Sequence, residues 1–503
     1  MKRYVSIFLY SLLLVGLSLP LLSCSGTTTR DTPAAMSAQA QIEKDAGNFT
    51  RATELLAAAK IAYEAVGDKA GAKNCASRIE DMEIIRMTYP HSLPALRVIL
   101  TQAFPNVAEF ERDAWISGGA LEKVIIDGQP YYFEDIVTNI KYRNVSLFQQ
   151  DSDLYKSYKQ IYELLLPITV KPADPIAPFS NTVTYQGTGS MTIPLGRLPK
   201  TGLFKLWIPV PIVTSTQLNM KIILISPQKY VKQLPTTDQE IGLVYLEVPL
   251  EELKEDLSVS LVYTFEHVEQ RFAIDPARIG TYDKNGALYK QYTASHGNTI
   301  ITPEITATAN NVAGSETNPY LAAKKLYQFV LDNVKYSHMP HLAMWPRGEP
   351  ESIYVHRNRF GDCGAQSLYV TALCRSIGIP ARTTGGWQLF SGDFGSHFWG
   401  EFYLPNYGWI PFDTTAAEMV DYLSSISADD KKRFHDFFFG SQDNLRAVVQ
   451  LDIDLPLIPA AGEPILFQMA IQQPIALCDT ITETNPSMLV GEFWTHKATR
   501  LQQ

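Results

Sequence analysis

Cysteine is scarce, with five in 503 residues. Cys24, Cys75, Cys363, Cys374 and Cys478 lie far apart and form no CxxC pair, which excludes a zinc ribbon and a dense disulfide framework. Positive charge is also short. Lys and Arg number 43 against 52 Asp and Glu, a formal net charge of −9. Phosphate binding needs a basic surface, so nucleic acid is not an expected partner. No zincin, P-loop or nucleophile-elbow motif occurs. His338 and His341 flank Met339-Pro340, and without acidic or cysteine ligands nearby they make a poor metal site. No metal and no organic cofactor is expected. Hydrophobic residues are 46% and charged residues 19%, an ordinary globular balance. The length exceeds one core and predicts about three domains.

After Lys2 and Arg3 an apolar run extends from Tyr4 to Leu22, the pattern of an export signal. Leu21-Leu22-Ser23-Cys24 resembles a bacterial lipobox. The resemblance implies that residues 1–23 are a lipoprotein signal peptide, that Cys24 is lipidated, and that the protein touches a membrane through this lipid. Ser25 resembles outer-membrane sorting, so the expected location is the cell envelope, at the outer membrane facing the periplasm. Residues 24–33 read as a small, polar tether.

Residues 34–170 form a helical and mixed region. Alanines recur on a helical period up to about Met87, punctuated by Gly47 and Gly67. This stretch resembles a tetratricopeptide-type hairpin, but one unit cannot build a solenoid. Asp127-Gly128 predicts a hairpin turn, and Leu154 to Leu166 a helix. Residues 175–275 read as a β-sandwich domain. Its clearest strand has Leu257, Val259, Leu261, Tyr263 and Phe265 on one face. Residues 318–460 carry the chemistry, and residues 461–503 read as a C-terminal extension.

Gly361-Asp362-Cys363-Gly364 opens a helical period through Leu368, Leu373 and Ile377. Asp362 is a good N-cap and Gly378 a good stop. Cys363 therefore sits in the first turn, where the macrodipole favours the thiolate. Cys374, in the helix body about 16 Å away, reads as an ordinary core cysteine beyond disulfide reach. A nucleophilic cysteine needs a base, and the base an orienter. His397, Trp399, Glu401 and Tyr403 share one face of a strand, and Trp409, Pro411 and Asp413 one face of the next. A four-residue loop would pair Leu404 with Trp409 and turn Asp413 away. A three-residue connection pairs Leu404 with Gly408 and sets Asp413 opposite Trp399, diagonal to His397.

Gly-Asp-Cys-Gly, then Gly-Ile-Pro-Ala-Arg, Ser-His-Phe-Trp-Gly-Glu-Phe-Tyr and Gly-Trp-Ile-Pro-Phe-Asp-Thr-Thr together resemble the transglutaminase-like core, from about Tyr320 to Glu418. The resemblance implies Cys363 as nucleophile, His397 as general base and acid, and Asp413 as orienter. It implies an α+β fold: a papain-like transglutaminase core, preceded here by the helical region and the β-sandwich domain. Trp207 to Pro211 resembles the β domain that often precedes this core, and Gly440 to Arg446 a segment that follows it. Trp345 is an oxyanion candidate by the same resemblance, or else a packing residue; the Cys363 N–H and Asn358 are others. His356 reads as a loop histidine. The expected activity is thiol-dependent acyl transfer on amide or peptide bonds, hydrolytic, with a protein or peptide substrate. The alternatives are a crosslinking transglutaminase, an acyltransferase with another donor, and a non-catalytic envelope binding or scaffold protein on the same fold.

Overall fold

The computed structural model describes residues 32–119, 121–236, 238–463, 465 and 469–501. The signal peptide, Cys24 and the tether as far as residue 31 lie outside the described residues.

Three helices, Pro33–Asp45, Phe49–Ala65 and Lys69–Thr88, open the described chain. Small side chains let them approach: Ala40, Ala52 and Ala59 are buried with Leu56, Cys75, Met82 and Ile85. The hairpin Lys123–Ile126/Gln129–Tyr132 turns at Asp127-Gly128, both at positive φ, as the Asp-Gly pair predicts. Its tip clips onto the helices. The Asp127 N–H donates to Gly47 O at 2.7 Å, and its carboxylate accepts from the Thr50 N–H and hydroxyl. A helix at Ser152–Thr169 covers the stretch expected at Leu154 to Leu166.

Two five-stranded sheets follow. One joins Ser441–Gln442, Leu257–Arg271, Phe179–Ile193 and Trp494–Arg500, with Gln217–Ser226 also on Leu257–Arg271. The other runs Ser487–Leu489, Ile475–Cys478, Leu203–Pro209, Leu243–Pro249, Val231–Gln233. Leu257, Val259, Leu261, Tyr263 and Phe265 face inward against Phe204, Leu206 and Ile208, as alternation predicts. The stretch after 461 adds strands to both sheets, pairing Trp494–Arg500 with Phe179–Ile193 and Ile475–Cys478 with Leu203–Pro209.

The sheet that carries the candidate site has four antiparallel strands in the order Gly408–Phe412, Gly395–Leu404, Ala381–Gln388, Arg446–Gln450. Helix Cys363–Ser376 packs on it through Leu368, which clusters with Phe398, Thr371, which bonds Thr383, and Arg375, which donates to Ala381 O. Register is set by a three-residue turn. Leu404 pairs with Gly408 and Gly400 with Phe412, with Asn406 and Gly408 at positive φ. Asp413 thus leaves the ladder next to the Gly400–Phe412 pair. Gly400 is required here, since a Cβ would lie 1.9 Å from the Phe412 ring.

Candidate active site

The cysteine helix begins where its sequence says. Asp362 is the N-cap, and its Oδ1 accepts from the Ala365 N–H at 3.0 Å. Cys363 is the first helical residue, half-buried against Leu368, Phe398, Ile453, Met469 and Ala470. The backbone N–H groups of Phe398 and Gly364 lie near enough to its sulfur to favour the thiolate. The Phe398 contact joins the two halves of the site, because Phe398 follows His397 on strand Gly395–Leu404.

His397 is buried, and its Nε2 lies 2.8 Å from Asp413 Oδ2. That contact commits Nε2 to a carboxylate and leaves Nδ1 as the nitrogen able to take a proton. Asp413 is held from four sides. Its Oδ1 accepts from the Ala416 N–H at 2.9 Å, capping helix Thr414–Glu418. Its own N–H donates to Phe438 O. Its Oδ2 faces both His397 and Arg446 Nη1, the latter at 2.6 Å. Burial alone would raise its pKa, but the His397 and Arg446 charges hold its carboxyl far below the usual range.

Arg446 is fully buried. It donates to Asp443 Oδ2 through Nε at 3.0 Å and Nη2 at 2.8 Å, and its guanidinium lies 5.1 Å from the Trp399 ring. Strand Arg446–Gln450 thereby supplies a cation that locks the orienter. The backbone carbonyl of His397 accepts from Gln472 Nε2 at 2.8 Å, so the C-terminal stretch also fixes the histidine. Arg382, of Gly-Ile-Pro-Ala-Arg, pairs across the sheet with Glu401 and lies over Trp409.

The thiol departs from expectation. A helix N-terminus favours a thiolate by about 0.3–1 kcal/mol, under one pKa unit. Burial, with the Asp362 and Asp413 carboxylates, outweighs this and the pull of the nearby Phe398 and Gly364 N–H groups. Together they hold the Cys363 thiol well above its ordinary pKa. The resting state that this environment favours is the thiol. Cys374 behaves as the plain core cysteine expected, with burial pushing it up to about 12.

The remaining candidates are dispersed. Trp345 is 55% exposed on helix His341–Arg347. Asn358 spends its amide on Tyr354 O at 3.0 Å. The Cys363 N–H, at the first helical position, has no intrahelical acceptor and stays available as an oxyanion donor. His356 sits on helix Glu351–Asn358 rather than in a loop, with Nδ1 3.0 Å from the Tyr369 hydroxyl. His338 pairs with Asp135, while His341 pairs with Glu351 and Asp362, so the two do not converge. Among the described residues no group of His, Cys, Asp and Glu is arranged to hold a metal.

Sequence reasoning missed Arg446 with Asp443, and His341 with Glu351. For the first a signal existed. Asp443 and Arg446 fall inside the Gly440 to Arg446 segment, where a charged pair stands at the start of the strand Arg446–Gln450.

The chain carries a transglutaminase-like core: residues 306–414 match the model of the transglutaminase-like superfamily. Cys363, His397 and Asp413 fall inside that match, whereas Asp443 and Arg446 lie beyond it. A Haemophilus influenzae protein described as uncharacterized is 26% identical over 144 residues, covering 24% of this chain and 38% of its own length. A candidate cysteine protease from Cytophaga hutchinsonii superposes with a TM-score of 0.40 at 15% identity, covering 65% of this chain and 93% of its own. The periplasmic domain of TgpA from Pseudomonas aeruginosa gives 0.24 at 11% identity, covering 54% and 95%.

Proposed function

We propose that this protein is a thiol-dependent hydrolase of amide or peptide bonds, with Cys363 as nucleophile, His397 as general base and acid, and Asp413 as orienter. The observation that carries the reading is the buried His397–Asp413–Arg446 chain, on a strand whose next residue, Phe398, belongs to the apolar cluster that Cys363 packs against. A structural histidine needs one partner. This one is fixed at Nε2 by a carboxylate that is itself locked, and that leaves Nδ1 for proton transfer.

The step balances as follows. His397 Nδ1 takes the thiol proton as sulfur attacks the carbonyl carbon. The C–N bond breaks, and His397 returns the proton to the leaving amine. The acyl group is then held as a thioester on Cys363, and water activated by His397 releases it as the acid. Because the resting thiol is protonated, His397 acts during attack rather than through a preformed ion pair.

Iodoacetamide alkylation of the folded protein from about pH 6 to about pH 10, limits that bracket the ordinary His and Cys values, mapped to each cysteine by mass spectrometry, tests this assignment. Cys363 should react faster than Cys75, Cys374 and Cys478. His397→Ala should slow it about tenfold or more near neutrality, the scale at which a positioned base acts. The gap between the two proteins should narrow towards the alkaline end, as thiolate begins to form without help. Equal Cys363 rates across the range would favour the binding or scaffold alternative.

A further inference from the structure

The Gly-Asp-Cys-Gly sequence contains a conflict. Asp362 caps the helix, but its carboxylate stands next in chain to the sulfur that must become an anion. Like charge at that range disfavours the thiolate, and the Asp362 charge does push the Cys363 thiol up. An N-cap Ser or Thr would serve the helix without that cost.

The fold answers the conflict with a histidine. Asp362 Oδ1 is spent on the Ala365 N–H, and Oδ2 lies 2.7 Å from His341 Nε2. His341 Nδ1 lies 2.7 Å from Glu351 Oε1, so both ring nitrogens face carboxylates. A neutral imidazole has one N–H and can satisfy only one of them; the imidazolium satisfies both. Despite its burial, these two carboxylates hold His341 well above the ordinary histidine range. Helices His341–Arg347 and Glu351–Asn358 exist in this geometry to present the pair. Glu351 is buried at 3% exposure at the start of the second.

We infer that His341, held as a cation between Glu351 and Asp362, is a positioning residue that neutralises the N-cap carboxylate and so makes the Cys363 thiolate attainable. This rests on the reading of Cys363 as the nucleophile. His341 touches Asp362 and acts through it. The groups that bear on the arrangement are few. Asp362 and Asp413 act on Cys363; His341 and His338 act on Asp362; Glu351 and Asp362 act on His341.

The test is the alkaline limb of Cys363 alkylation by iodoacetamide, in the full chain, for wild type and three variants. Counting only the charges at 341 and 362, wild type is neutral and H341Q carries one negative charge. D362N carries one positive charge, and H341Q/D362N is neutral again. Asparagine still caps the helix. The limb should follow that order. H341Q should be slowest, about tenfold below wild type at a given pH, the equivalent of one pKa unit. Wild type and the double variant should lie together, and D362N should be fastest. A folded H341Q with a wild-type limb overturns the inference. So does a slow limb that D362N fails to restore, since that is a structural effect. If H341Q does not fold, the double variant is compared with D362N, and equal limbs overturn it. His397→Ala is run beside them. It changes the neutral region rather than the alkaline limb, so failure of the nucleophile assignment shows separately from failure of the His341 role.

Discussion

Replacing Arg446 by methionine is expected to cost about 3–5 kcal/mol of stability at neutral pH, because removing one partner of a buried pair strands the other. Arg446 is fully buried and spans Asp413 and Asp443, so its loss strands two carboxylates in one place. The stem of methionine fills most of the volume between Phe390, Trp399 and Phe438, which line the guanidinium. The loss is therefore electrostatic rather than a cavity effect. The pH dependence follows from Asp413. Its folded pKa is depressed, so its contribution is present above the unfolded value of about 3.9 and is lost as pH falls through the folded value. Without Arg446 that folded pKa rises. The deficit relative to wild type should be full at neutral pH and should narrow as pH approaches about 4. Urea midpoints at the two pH values measure it. An R446M midpoint equal to wild type at neutral pH would remove Arg446 from the account of the site.

Asp413→Asn is expected to lower kcat by about 10³–10⁴ with little change in KM, the scale seen when a triad carboxylate becomes an amide. The carboxylate accepts from His397 and Arg446 on one oxygen and from the Ala416 N–H on the other. Asparagine has one acceptor oxygen. With that oxygen drawn to Arg446 or to the helix cap, its amide presents N–H groups to His397. Nε2 must then accept, which leaves the proton on Nδ1, the nitrogen proposed to take the thiol proton. Hydrolysis of p-nitrophenyl butyrate reads this directly. A D413N variant within tenfold of wild type would mean that Asp413 caps its helix and does nothing for the histidine.

Much of this site could be read from local pattern. Asp362 as N-cap and Cys363 in the first turn followed from capping chemistry. The faces of the two strands followed from alternation. The register followed from asking which turn length lets Asp413 reach His397, and Leu404 does pair with Gly408. The unread parts are those that only tertiary structure supplies. Arg446 lies 33 residues beyond Asp413, and nothing in its own neighbourhood states which carboxylates it meets. His341 opens a helix that contains Pro346, and Pro340 before it masks the helical period. The direction of the Cys363 shift reversed because burial is a property of the packed core. The end of the chain looked like an extension because short strands such as Ile475–Cys478 gain their meaning from partners such as Leu203–Pro209, far back in the sequence.

The most direct test of the central claim is to mix the protein with p-nitrophenyl butyrate, quench in acid and weigh the intact chain. The account predicts a mass increase of one butyryl group, mapped to Cys363, formed rapidly in wild type and strongly reduced in His397→Ala. A folded wild-type protein that gains no acyl group on Cys363, or gains it equally without His397, would contradict it.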